Sequence, residues 1–166
     1  MKIDVAHTFK NITLEKYVAL FFDDAFNEAM KPVADLKERV TLEKKEVDGK
    51  IVRKVRVVPT RNFPGPVKKI MGDGELSYIE DNSFDPKTHV LDWNSKVSVL
   101  TDKIKMSGKI YFKEVPGGVE RRVTGDAVVS VFGVGGMIEK VVVDNIRETY
   151  DNIARFTQKW IDDGRA

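Results

Sequence analysis

Few residues in this chain have the types and spacing that catalysis needs. There are two histidines, His7 and His89, and no cysteine. The missing cysteines remove disulfides, thiolate zinc sites and cysteine nucleophiles together. Two histidines so far apart in sequence make poor metal-ligand spacing, so no metal and no other cofactor is expected. His7 falls on the apolar face of an alternating segment, where an isolated histidine is more often a hydrogen-bonded core residue than a base. No Ser, Asp or Cys can be placed beside it from sequence, so no catalytic residue is assigned. His89 adjoins a turn and reads as solvated.

Glu139, Arg121 and a glycine cluster are the other candidates. Gly133-Val134-Gly135-Gly136 has the outline of a dinucleotide loop, but it lacks the third glycine and a following strand with an acidic residue, so it reads as a sharp turn. Glu139 lies on the apolar arc of a helix near its N-terminus, where free N–H groups and the helix dipole favour a carboxylate. The alternative is a polar anchor at a pocket mouth. Arg121 shares parity with Val119 and Val123 and points inward. It reads either as a packed stem with a snorkelling head or as a partner for a ligand carboxylate or phosphate. Lys103, Lys105, Lys109 and Lys113 form an outward stripe that Arg122 extends. Glu114, Glu120 and Asp126 dilute it. A solvated strand face is the first reading, transient contact with an anionic membrane the second, and no nucleic acid is expected.

These residues must be positioned by one domain, since 166 residues is an ordinary single-domain length. The 28 basic and 26 acidic residues nearly cancel, which removes any charge argument for nucleic acid. Met1–Lys10 alternates and carries charge, unlike the apolar core of a signal peptide, and no apolar run approaches the about 18 residues that span a bilayer. A cytoplasmic location is expected.

Alternation of Ile3, Val5, His7 and Phe9 with polar neighbours predicts a strand. Thr13 caps a helix carrying Leu14, Tyr17, Val18, Phe21 and Phe22. Asp23 or Asp24 caps a second with Phe26 and Met30, which Pro32 ends or bends. Strands are predicted over Leu36–Val47 and Ile51–Pro59 around the Asp48-Gly49 hairpin turn. Asn62–Gly74 is a Pro/Gly loop with a helical turn at Val67–Met71. Further strands are Glu75–Phe84, Val90–Leu100, Lys103–Lys113 and one from Val119 to Val131, entered by a turn at Pro116-Gly117-Gly118. Six consecutive strands with short turns predict a curved antiparallel meander. A long amphipathic helix, about Met137–Asp162, follows. Its apolar stripe includes Ile138, Val142, Ile146, Thr149, Tyr150, Ile153, Phe156 and Trp160. Gly164 stops it.

Only that helix is long enough to cover the sheet. Small inward residues, Gly108, Gly125 and Ala127, stand beside Trp93, Met106 and Phe112, and they leave volume on the concave face. The alternative is that helix side chains fill this space.

The order strand, two short helices, six strands, long helix resembles the START-like superfamily, also called SRPBCC or helix-grip, over nearly the whole chain. The junction Val131-Phe132-Gly133-Val134-Gly135-Gly136-Met137-Ile138-Glu139 and the Pro64-Gly65-Pro66-Val67 loop are similar to those of an uncharacterised bacterial branch. The junction also resembles that of the sterol-binding START-like domains of eukaryotic membrane-contact proteins. The resemblance implies an α+β helix-grip fold with a hydrophobic ligand between sheet and C-terminal helix. It transfers no catalytic residue, because the superfamily includes lipid carriers, cyclases, hormone receptors and co-chaperones.

The expected partner is therefore a hydrophobic small molecule or lipid. The expected lining is His7, Phe9, Phe26, Trp93, Met106, Ile110, Phe112, Arg121, Val123, Ala127, Glu139, Val142, Ile146, Thr149, Tyr150 and Ile153. The Pro64–Gly74 loop and the short helices are the expected gate. A cyclase or aromatase-like enzyme and a packed protein-interaction module are the rival functions. Nothing in the sequence sets the oligomeric state.

Overall fold

The computed structural model describes residues 1–60, 65, 68–69 and 75–166. The expected loop Asn62–Gly74, with its helical turn and its gating role, falls almost entirely outside them.

Strand β1 (Lys2–Lys10) buries Ile3, Val5 and Phe9, half-buries His7 on the same face, and turns Asp4, Ala6 and Thr8 outward. Helices α1 (Leu14–Phe21) and α2 (Asp24–Met30) follow. The Thr13 hydroxyl accepts the Lys16 N–H at 3.3 Å and the Asp23 carboxylate accepts the Phe26 N–H at 2.7 Å. Each occupies a donor that a helix start otherwise leaves free. Helix α2 ends at Met30, ahead of Pro32.

Six strands then form the meander: β2 (Leu36–Val47), β3 (Lys50–Pro59), β4 (Tyr78–Asp85), β5 (Val90–Val97), β6 (Ile104–Val115) and β7 (Gly118–Val129). With β1 they make one curved antiparallel sheet in the order β1-β7-β6-β5-β4-β3-β2. Asp48 (φ 52°) and Gly49 (φ 74°) both take left-handed conformations, as a two-residue hairpin requires. Several strand ends differ from the sequence reading by one to three residues. Strand β4 starts at Tyr78 rather than Glu75. Strand β5 stops at Val97 rather than Leu100, because Leu100 turns left-handed and accepts the Lys103 N–H in a tight turn. Gly118 already belongs to β7, so the β6–β7 turn is shorter than expected.

Helix α3 (Gly135–Asp162) starts two residues earlier than its periodicity implies. Gly135 donates to the Val131 carbonyl at 2.8 Å, and a Cβ at Gly135 would lie 2.3 Å from the Val129 carbonyl oxygen. The close approach of strand end and helix start thus fixes the helix onset. At the other end Gly164 donates to the Ile161 carbonyl and Arg165 to the Trp160 carbonyl, the two bonds of a Schellman cap.

Cross-strand register sorts the concave face into rows. One row runs Ile51, Phe84, Leu91, Ile110, Val123, Val5. The next runs Arg53, Asn82, Trp93, Gly108, Gly125, Ile3. A third runs Val55, Glu80, Ser95, Met106, Ala127. In the second row a Cβ on Gly108 would stand 1.9 Å from the Thr124 carbonyl oxygen, and one on Gly125 would stand 2.6 Å from Cζ2 of Trp93. The two glycines therefore let β6 and β7 close on each other and give the indole room to lie against β7.

Candidate functional site

Helix α3 packs chiefly on β1 and β7. The sheet reaches well past those strands, to β2 at its far edge. Between α3 and the concave face lies a cavity of about 260 Å³. Its walls are of two kinds. Met106, Ile110 and Val123 from the sheet and Val142, Ile146 and Ile153 from α3 make an apolar side. Arg39, Arg53, Tyr78, Glu80, Asn82 and Ser95, all from β2–β5, make a polar side.

The α1–α2 end is closed by aromatic rings. Phe9 stacks on Tyr17 with centroids 4.8 Å apart, Phe112 meets Tyr17, Phe21 and Phe84, and Phe26 packs edge-on to Trp160 at 5.5 Å. These contacts fix α1 and α2 as a plug over this end of the sheet.

The polar side is organised by buried charge. Arg39 donates to the Glu80 carboxylate and to the Asn27 Oδ1, each at 3.2 Å. Arg53 is 4% exposed and lies over the rings of Phe21 and Phe22, 5.6 and 5.0 Å from their centroids. Burial, reinforced by the neighbouring Arg39 charge, pulls its pKa down to about 10, which still leaves it cationic at neutral pH. Burial pushes the Tyr150 phenol up to about 12. It raises Tyr78 too, with Glu80 adding to the effect. Both phenols are held neutral, as donors or acceptors rather than bases.

Arg121 is 2% exposed, so the inward orientation read from its parity is what the structure has. Its guanidinium sits between the rings of Phe9 and Tyr150, at 5.3 and 4.8 Å. Its Nη2 meets His7 Nδ1 at 3.2 Å, and His7 Nε2 meets Asp151 at 2.7 Å. Both ring nitrogens of His7 are thus occupied, Nδ1 by the neighbouring strand β7 and Nε2 by α3.

Of the residues expected at the pocket, Phe26, Trp93, Met106, Ile110, Arg121, Val123, Val142, Ile146, Thr149, Tyr150 and Ile153 all border the cavity. The other five stand outside its described wall. His7 is turned toward Asp151. Phe9 and Phe112 are consumed by the aromatic plug. Ala127 is fully buried, with no exposed surface to offer. Glu139 accepts the Val129 N–H at 2.9 Å and pairs with the Met1 amine at 3.1 Å. It ties the helix start to the ends of β7 and β1 rather than facing a ligand. The Val129 bond, then the Met1 amine, lowers its pKa.

Sequence reading missed Arg39, Arg53, Tyr78, Glu80 and Asn82. A signal existed for Arg53: it shares parity with Ile51, Val55 and Val57, so a charge stands on the inward face of a buried strand. The outer basic stripe is interleaved with carboxylates. Lys109 meets Asp92, Lys2 meets Asp126 at 2.8 Å, and Arg122 grips Asp4 through two bonds. Among the described residues no group of three His, Asp or Glu side chains is placed to hold a metal ion, and no helix is long and apolar enough to cross a membrane.

Comparisons with known proteins agree with this architecture. No curated protein matches the chain. Among solved structures, the protein TTHA0849 from Thermus thermophilus superposes with a TM-score of 0.66 at 13% identity, covering 93% of this chain and 95% of that one. The ZhuI aromatase/cyclase from Streptomyces sp. R1128 gives 0.64 at 15% identity, covering 97% and 96%. A START superfamily protein from Mycobacterium smegmatis gives 0.63 at 12% identity, covering 95% and 97%. At such identities the likeness is one of fold, and the fold is START-like. A family model described as protein of unknown function (DUF2505) matches residues 4–161, so the chain belongs to the DUF2505 family and carries it on a helix-grip fold.

Proposed function

We propose that this chain binds and carries a hydrophobic small molecule, lipid-like in character, in the cavity between the sheet and α3. The observation that carries the reading is the cavity itself: about 260 Å³ bordered on one side by aliphatic side chains of sheet and helix. That volume falls just below the about 300–1,000 Å³ usual for small-molecule pockets, which favours a compact or single-chain ligand. A packed interaction module would need this space filled.

Native mass spectrometry of the purified protein after incubation with extracted lipids tests the reading. A bound species should be retained, and it should be lost in Ile146→Trp, whose indole would occupy the cavity from α3. Protein that stays empty, with no rise in Tm on adding lipid, refutes it.

Transient membrane contact belongs to the same proposal. Its support is Phe132, fully exposed at the β7–α3 junction, with Met137 half-exposed one turn on. Phe132→Ser should slow ligand pick-up from anionic vesicles while leaving affinity for free ligand unchanged. Equal pick-up rates would remove the membrane step.

A cyclase-like reaction is the second reading. It is favoured by the neutral phenols of Tyr78 and Tyr150, which border the cavity beside the Arg39–Glu80 pair and suit hydrogen bonding to ligand carbonyls. Turnover of a reactive poly-β-ketone chain that disappears in Tyr150→Phe would establish it. Binding without turnover would dismiss it.

A further inference from the structure

We infer that the cavity selects a ligand bearing a single carboxylate, gripped by Arg53 on the polar side while its hydrocarbon part lies against the apolar side. This rests on the cavity being a ligand site at all.

The first observation is a one-sided imbalance of hydrogen bonding. Among the described residues, the buried side-chain nitrogens and oxygens without a partner are Nε and Nη2 of Arg53, Nε1 of Trp93 and Nε of Arg121. All are N–H donors, and none is an acceptor. All three residues border the cavity. Leaving buried donors unpaired is costly, so a ligand that completes them must bring acceptors and no further donors.

The second observation is which atoms of Arg53 are free. Nε and Nη2 form the side edge of the guanidinium, whose two parallel N–H bonds match a carboxylate. The same edge of Arg122 does this elsewhere in the molecule, with Nε at 2.9 Å and Nη2 at 2.6 Å from the two oxygens of Asp4. Phe21 and Phe22 both lie to one side of the Arg53 guanidinium, and its Nε–Nη2 edge stays unpaired. Arg121 has no such edge to give, because its Nη2 is taken by His7. Trp93 adds a donor in the same sheet row, two strands from Arg53.

The third observation is charge. Glu80 answers Arg39 at 3.2 Å, and the charged residues bordering the cavity, Arg39, Arg53, Arg121, Glu80 and Asp35, leave one positive charge over. One surplus positive charge beside a carboxylate matches a monoanion. A phosphate monoester would bring a second negative charge next to Glu80 with nothing to balance it.

Equilibrium binding of decanoate, decan-1-ol and decyl phosphate to the full chain near pH 8 tests this. Decanoate should bind about tenfold to hundredfold tighter than decan-1-ol, the range of a charge-assisted hydrogen-bonded pair. Arg53→Met should erase that preference, bringing decanoate down to the affinity of decan-1-ol. Arg53→Lys, which keeps the charge but loses the paired edge, should retain part of it. Arg121→Met should retain the preference. Equal binding of acid and alcohol, a preference that survives Arg53→Met, or one that vanishes only in Arg121→Met overturns the inference. Decyl phosphate binding tighter than decanoate overturns the carboxylate assignment. Protein that takes neutral lipids from an extract but neither decanoate nor its alcohol ends the inference and keeps the carrier reading. Protein that takes nothing ends both.

Discussion

Gly108→Ala is the sharpest test of how the sheet is shaped around the cavity. The new Cβ would stand 1.9 Å from the Thr124 carbonyl oxygen, 2.6 Å from the Gly125 Cα and 2.8 Å from the Thr124 carbonyl carbon. All three are backbone atoms, so no rotamer change relieves the clash. The oxygen must retreat by about 1 Å to reach even the 3.0 Å that real Cβ contacts respect, and β7 can do that only by parting from β6. Overpacking typically costs about 1–3 kcal/mol, and a clash confined to backbone belongs at the top of that range. At about 2–4 °C per kcal/mol for a chain of this size, Tm should fall by about 6–12 °C in differential scanning calorimetry. Gly49→Ala is the control. Its Cβ meets nothing within 4 Å, and only its left-handed φ of 74° is strained. That strain is worth about 1–2 kcal/mol. If Gly108→Ala proves as mild as Gly49→Ala, β6 and β7 do not approach each other as closely as described. Gly125→Ala adds an optical readout. Its Cβ would press on the Trp93 ring, so indole emission should shift in a Trp160→Phe background.

Further outcomes follow from the titrating groups. Glu139 has a folded pKa below its ordinary 4.5, so its contribution to stability is complete above that value and is lost as pH falls through the depressed one. Glu139→Gln should therefore lower Tm by a few degrees at pH 7, and the gap to the parent should close on acidification; a gap independent of pH would refute the carboxylate's role. Tyr17, Tyr78 and Tyr150 are all raised, first of all by burial. The folded state then holds protons that the unfolded chain releases from about pH 10, and stability should fall from pH 10 upward. Phenolate absorbance followed alongside circular dichroism should show these residues ionising only as the fold opens. Ionisation ahead of unfolding would mean that they are more solvated than the structure has them.

The architecture was readable because each element carried its own local signal. Alternation marked β1 and β6, Asp48-Gly49 marked a left-handed two-residue turn, and Thr13 and Asp23 marked helix starts. Ends were harder, since Leu100 and Gly135 are set by a turn and by a close approach that only the assembled chain creates. The polar wall was harder still. Parity tells which face of the sheet a residue is on, but not whether a helix lies above it. Helix α3 covers β1 and β7, and Arg53, Glu80 and Asn82 occupy the part of the same face that it leaves to the cavity. Glu139 illustrates the converse. Its place on the apolar arc was visible, while the Val129 N–H that claims it belongs to a strand end ten residues earlier.

Strand β1 comes first in the chain yet pairs with β7, the last strand, from Lys2 opposite Asp126 to Lys10 opposite Gly118. Strands β2 to β7 each pair with the strand next in sequence, so their contacts are more local than those of β1. The N-terminal strand must wait for nearly the whole sequence before it finds its partner, and loop-closure entropy delays that step. Helix α3 then packs on both β1 and β7. That order predicts that the cavity gains its roof late in folding, when β1 and α3 dock on β7. On the carrier reading, protein purified from cells should hold a ligand that protein refolded in the absence of lipid lacks, which native mass spectrometry of the two preparations checks.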